Sequence, residues 1–206
     1  MPGSSLTDIY NAAAVVLSQP AVESPSENSR VAGIFGTVWN LARRAFLADG
    51  LWNQARRRVS GLLRAPGSPP FGFLFWFVLP NDYIQAVTIN SQALVPGSDD
   101  YRMEIGPNGT QVILTNIGTV NLEYISDNVN YGTWSPKMVE AAGYYLARFS
   151  AKRFGKAQSE IEQIEKACEK FLLDAKGTSG QENYPTEIKS MSLIDAMSGG
   201  TPYSGR

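Results

Sequence analysis

The chain has 206 residues, with 18 basic and 19 acidic side chains and a formal net charge of −1. That is room for one substantial domain or two small ones, without the broad cationic surface that binds nucleic acid non-specifically. It contains no histidine, which excludes His-based triads, His-ligated zinc and His general bases.

Cys168 stands alone and cannot close an internal disulfide. The N-terminal stretch lacks the positive n-region of a secretory signal. The most apolar run, 71–80, ends in proline at half the roughly 20 residues a membrane helix needs. These features lead us to expect a chain that stays in a reducing cytoplasm, with no membrane span.

The first helix is expected after Ser5 or Thr7, with Ile9, Ala13, Val16 and Leu17 on one face and Pro20 as its stop. Ser26 or Ser29 is the expected cap of a second helix carrying Val31, Ile34, Phe35, Val38, Leu41, Ala42, Ala45 and Phe46, closed by Gly50. Gly33 and Gly36 weaken that helix by about 1 kcal/mol each relative to alanine, which points to close approach of another backbone.

From Leu51 to Tyr131 the period shifts toward two, and strands are expected at Phe73–Leu79, Tyr83–Ile89, Tyr101–Ile105, Gln111–Thr115 and Thr119–Ile125. Gly106-Pro107-Asn108-Gly109 signals a hairpin between two of them. Ser135 and Pro136 then open a third helix running to about Phe154, with Met138, Ala142, Tyr145 and Phe149 on its apolar face. Ala157, Ile161, Ile164, Cys168 and Phe171 alternate steps of four and three, which suits an antiparallel helical hairpin turning near Gly155, with Cys168 as a core residue.

The expected fold is therefore α+β: an antiparallel bundle of about four helices with an inserted antiparallel β domain and an extended C-terminal tail. Its divisions are 1–50, 51–133, 134–176 and 177–206. The tail holds one apolar island, Ile188, Met191, Leu193, Ile194 and Met197, which cannot bury itself and must fold back or dock on a partner.

Arg43, Arg44, Arg56, Arg57, Arg58 and Arg64, interleaved with Trp39, Phe46 and Trp52, form the densest charge feature. Three readings stand open for it: a solvated face with cation–π packing, a phosphate-backbone contact, or pairing with acids of a neighbouring protein. No phosphate loop, dinucleotide fingerprint, nucleophile elbow or metal-ligand spacing occurs, and the residues name no cofactor, metal or catalytic group. Glycan hydrolysis needs two carboxylates, for which Glu104 and Glu123 are the only candidates in the β region.

The order of elements carries a resemblance. Asn11-Ala12-Ala13 and Leu17-Ser18 are followed by a helix with Trp39, Arg43, Arg44 and Leu47, then Leu51-Trp52 and Ala55. Leu79-Pro80-Asn81-Asp82-Tyr83, a hairpin and Leu122-Glu123-Tyr124-Ile125 come next, and Trp134-Ser135-Pro136 opens a helix with Ala141, Ala142, Tyr145, Leu146 and Ala147. Over roughly residues 5–175 this resembles the head-to-tail adaptor family of short-tailed bacteriophages, also called tail tubular protein A or the gatekeeper protein.

The resemblance implies a non-enzymatic virion protein, present in the host cytoplasm during assembly. It further implies a ring of twelve copies between portal and tail nozzle, with genomic DNA passing through its lumen during ejection without sequence-specific binding. Trp39, Phe46 and Trp52 would be core or intersubunit anchors. Arg43, Arg44, Arg56, Arg57 and Arg58 would pair with neighbouring subunits or portal, and Tyr184, Ile188, Met191, Leu193 and Ile194 would dock on portal. A peptidoglycan-degrading tail protein and a local DNA-binding module are the competing expectations.

Overall fold

The computed structural model describes residues 3–93, 100–106 and 109–181. Helix α1 (Leu6–Val16) begins at a reciprocal cap. The Ser5 hydroxyl accepts from the Asp8 N–H at 3.2 Å and the Asp8 carboxylate accepts from the Ser5 N–H at 2.7 Å, a local signal worth about 1 kcal/mol. Ser18 follows in the left-handed region at φ 52°, a place glycine usually takes.

Ser29 caps α2 (Arg30–Ala48), and Ser135 caps α3 (Pro136–Ser150) with Pro136 in its first turn. A short 3-10 segment, Ala151–Phe154, continues α3, and Gly155 at φ 74° turns the chain into α4 (Gln158–Gln181). Helices α3 and α4 run antiparallel, with Tyr144 stacked on Phe171 at 4.1 Å. Ile161, Ile164 and Cys168 are buried along their seam, as the spacing predicts.

The helix α4 passes the expected boundary at Lys176 and continues to Gln181. Gly177 and Gly180 read as coil by composition, but the tertiary fold holds this last turn. The Asn53 backbone N–H donates to Ser179 Oγ at 3.1 Å and the Asn53 amide donates to the Ser179 carbonyl at 2.7 Å.

Seven strands lie between the helix pairs among the described residues: β1 (Arg56–Val59), β2 (Phe75–Val78), β3 (Tyr83–Ile89), β4 (Gln92–Ala93), β5 (Tyr101–Ile105), β6 (Gln111–Thr115) and β7 (Leu122–Ser126). They form two antiparallel sheets, ordered β1-β7-β3-β4 and β2-β6-β5. Strands β1 and β4 were not among the expected ones. Three consecutive arginines hide β1, whose pairing with β7 sets Arg56 opposite Ile125 and Arg58 opposite Glu123. The expected β5–β6 hairpin forms with Ile105 opposite Gln111 and Gly109 at φ 74°, whereas Pro107 and Asn108 lie outside the described residues.

The four-stranded sheet is the middle layer. Its Ile125, Ile84 and Val87 pack into the helical core, while Leu122, Tyr124 and Ile89 pack with Phe77 and Ile113 of the three-stranded sheet. The outer face of that second sheet carries Val112 and Leu114, grouped with Ala65 and Phe73 of the preceding loop. The β region is thus joined to the bundle through a shared apolar layer.

The expectation for Gly33 and Gly36 is corrected. A β-carbon at Gly33 would meet nothing within 4 Å, and one at Gly36 would meet only the Tyr10 hydroxyl at 3.8 Å. The close helix approach occurs at Gly143 instead, where α3 crosses α1.

Candidate functional site

Trp39, Phe46 and Trp52, expected as core or intersubunit anchors, are all buried in the chain's own core. The Trp39 indole N–H donates to the Tyr131 hydroxyl at 2.9 Å, and Trp52 stacks on Phe46 at 4.6 Å while donating to the Phe46 carbonyl at 3.0 Å. Gly50 makes room for this arrangement, since a β-carbon there would lie 2.5 Å from the Trp52 ring. Of the two expected roles the single chain gives the core one: aromatic rings enclosed this way stabilise the fold.

The arginine cluster finds its acids within the chain. Arg43 donates to both oxygens of Asp127 at 2.8 and 3.0 Å, and Arg44 reaches the same carboxylate at 3.1 Å. Arg56 and Arg58 converge on Glu123, and Arg57 pairs with Asp82 at 2.9 Å. Arg64 lies over the Phe75 ring at 4.3 Å, the cation–π arrangement expected of a surface arginine.

Interface pairing by Arg43 is excluded by its burial against Asp127. Arg44, Arg57 and Arg58 keep exposed side chains and can still meet an external group. The surface pairs contribute little to stability, typically under about 1 kcal/mol each, but each carboxylate offsets positive charge that a phosphate backbone would otherwise meet.

The Pro80-Asn81-Asp82-Tyr83 segment is a brace between layers. Asp82 accepts from the Tyr124 hydroxyl at 2.9 Å as well as from Arg57, and its carbonyl accepts from the Asp127 N–H at 2.7 Å. Burial, then Asp82, push the Tyr124 phenol up to about 12. One short loop thus ties β1, β3 and β7 together and places Asp127 where α2 can reach it.

Glu104 and Glu123 do not form a catalytic pair. Glu104 lines a groove beside Phe71 and Trp76, whereas Glu123 lines a separate depression with Arg58 and Thr88. Burial alone would raise the Glu123 carboxyl. The hydrogen bonds from Arg58 and Thr88, with the charges of Arg58 and Arg56, outweigh it and hold the group below its ordinary range. A general acid for glycoside cleavage requires the opposite shift.

Burial first, with nearby carboxylates adding to it, pushes the Cys168 thiol up to about 11, as befits a small core residue and not a nucleophile. Among the described residues no cluster of three acids or cysteines could hold a metal ion, and no helix is long and apolar enough to cross a membrane.

The surfaces that sequence reasoning missed are apolar and exposed. Phe71, Leu74, Leu63 and Ile105 are largely open to solvent around the outer sheet, Phe71 at 87%. Of these, Phe71 and Ile105 line a groove of about 570 Å³ together with Phe73, Trp76 and Leu114. In the helical layer Val15, Leu41 and Leu173 are likewise exposed.

A signal for Phe71 and Leu74 was present in Phe71-Gly72-Phe73-Leu74-Phe75-Trp76-Phe77. Apolar residues of both parities cannot all face one side of a strand, so some must face out. The docking residues expected in the tail, Tyr184, Ile188, Met191, Leu193 and Ile194, lie outside the described residues. No protein-family model matches the chain, and no curated protein matches it.

Proposed function

We propose that this chain is a structural adaptor subunit that assembles into a head-to-tail ring between a phage portal and the tail nozzle, with genomic DNA passing through the lumen. The observation that carries this reading is a pair of groups among its exposed large apolar side chains. One set, Phe71, Leu74, Leu63 and Ile105, belongs to the outer sheet and its covering loop. The other, Val15, Leu41 and Leu173, belongs to the helices on the far side of the middle sheet.

A ring built by rotation needs two different faces on each subunit, because each copy presents one face to the neighbour before it and another to the neighbour after it. Exposed apolar residues gathered about one groove, as Phe71 and Ile105 are, are the usual mark of such a face. Internal pairing of the arginines also suits a lumen through which DNA must slide, since unpaired cations there would hold the phosphates.

In this reading the β region faces the tail and the helical bundle packs between subunits. The segment with Tyr184, Ile188, Met191, Leu193 and Ile194 follows directly from α4 and docks on portal. The reading is non-enzymatic and names no cofactor.

The test is the molar mass of the protein as a function of concentration, for the natural chain and for the double variant Phe71→Ser, Leu74→Ser. Both side chains are exposed, so the variant keeps the fold. Assembly of the natural chain that the variant loses supports the two-faced subunit. Unchanged assembly in the variant removes the outer-sheet face from the account.

A further inference from the structure

Strands β1, β4, β2 and β5 end the two sheets. The outer edge of β2 is taken by the preceding loop: the Val78 N–H donates to the Leu63 carbonyl at 2.8 Å, and the Ala65 N–H donates to the Trp76 carbonyl at 3.0 Å. Strand β4 is two residues long, and β1 carries Arg56, Arg57 and Arg58, which repel the same strand of another copy. Strand β5 has none of these protections. It is five residues long, Arg102 to Ile105 are exposed, and no described strand lies beyond it.

The hairpin fixes which backbone groups of β5 face that edge. The Gly106 N–H donates to the Thr110 carbonyl at 2.7 Å, so by alternation Glu104 and Arg102 turn their backbone groups toward Val112 and Leu114 of β6. Tyr101, Met103 and Ile105 therefore turn theirs outward. The side chains of Arg102 and Glu104 stand on one face of the sheet, the face of Leu114 and Val112 opposite them.

An antiparallel second copy engages all of the outward residues in one register, with Met103 opposite Met103 of the second copy and Tyr101 opposite Ile105. In that register Arg102 of each copy lies opposite Glu104 of the other. Sliding the second copy by two residues sets Arg102 opposite Arg102 in one direction and Glu104 opposite Glu104 in the other. A lone charge on an edge strand keeps copies apart, whereas opposite charges two residues apart draw them together in a single register.

We propose that two copies of this chain pair through β5, antiparallel and centred on Met103, and join their three-stranded sheets into one. The contact is short compared with the interfaces of permanent dimers, so the pair forms and parts with concentration. It is isologous, unlike the head-to-tail contacts of the ring proposed above, and it uses the edge of the sheet, so it stands or falls by itself.

The test is sedimentation velocity of the full chain over a concentration series, with Arg102→Glu, with Glu104→Arg, and with an equimolar mixture of the two variants. Both side chains are exposed, so the substitutions leave the fold intact. The natural chain is expected to gain a species of twice the chain mass. Either variant alone sets like charges opposite each other and should raise the dissociation constant of that species about tenfold. In the mixture every facing pair is again of opposite charge, and the dimer should return to the natural affinity, a rescue that misfolded variants cannot give. The proposal is overturned by a natural chain that lacks the two-chain species across the series, by a dimer that the single variants leave unchanged, or by a mixture that does not pair.

Discussion

Arg43 and Asp127 join the helical layer to the middle sheet. Both oxygens of the Asp127 carboxylate accept from the Arg43 guanidinium, at 2.8 and 3.0 Å, and both side chains are largely shielded from solvent. Arg43 comes from α2 and Asp127 follows β7, so the pair fixes where the β region sits on the bundle.

Truncating Asp127 to alanine leaves Arg43 buried without its counter-charge. The expected cost is about 3 kcal/mol in urea unfolding. Arg57→Ala, which removes an exposed partner of Asp82, should cost under about 1 kcal/mol. Equal losses from the two substitutions would contradict the assignment of Arg43–Asp127 as the structural pair.

Two glycines on helices should respond with opposite sign. A β-carbon at Gly143 would lie 2.5 Å from the Ala12 methyl and 3.2 Å from the Ala13 backbone nitrogen. Gly143→Ala must therefore push α3 off α1, at an expected cost of about 1–3 kcal/mol. Gly33→Ala meets open space and should stabilise α2 by up to about 1 kcal/mol. Melting temperatures of the two variants measure both signs at once.

These contrasts show where the sequence was readable. Ser135 is legible as a cap, and Ser5 and Ser29 each as one of two candidates, because capping chemistry lies within three residues of the helix start. Gly155 and the seam of Ile161, Ile164 and Cys168 were found because their pattern is local. The acids that neutralise the arginines were not: Asp127 is 84 residues from Arg43, and Glu123 is 65 from Arg58. Strand β1 was hidden for the same reason, since Arg56-Arg57-Arg58-Val59 becomes a strand only beside β7. The helix spacing also could not say that Leu41 faces water while Arg43, two residues on, is buried.

Acid sensitivity should trace partly to Glu123. Its folded carboxyl lies below its ordinary value, so its contribution to stability is complete above about pH 4.3 and is lost as pH falls through the lower folded value. Glu123→Gln removes that dependence. The variant's stability against pH should be flatter than the natural chain's below about pH 4.3, and curves that differ by a constant offset would contradict it.

Cys168 should be chemically silent in the native state. With the thiol buried and pushed up to about 11, a disulfide reagent at mildly alkaline pH finds almost no thiolate. Labelling should be negligible in buffer and complete in denaturant, and the labelling rate across a urea series should follow global unfolding. Rapid modification of the folded protein would place Cys168 off the α3–α4 seam.

The proposed adaptor role rests on contact with two partners, the portal and the tail nozzle. Light-scattering mass of the full chain mixed with the cognate portal, compared with a chain ending at Gln181, tests it most directly. A complex of ring stoichiometry with the full chain, lost without residues 182–206, is the expected result. A full-length chain that stays monomeric and leaves the portal mass unchanged would contradict it.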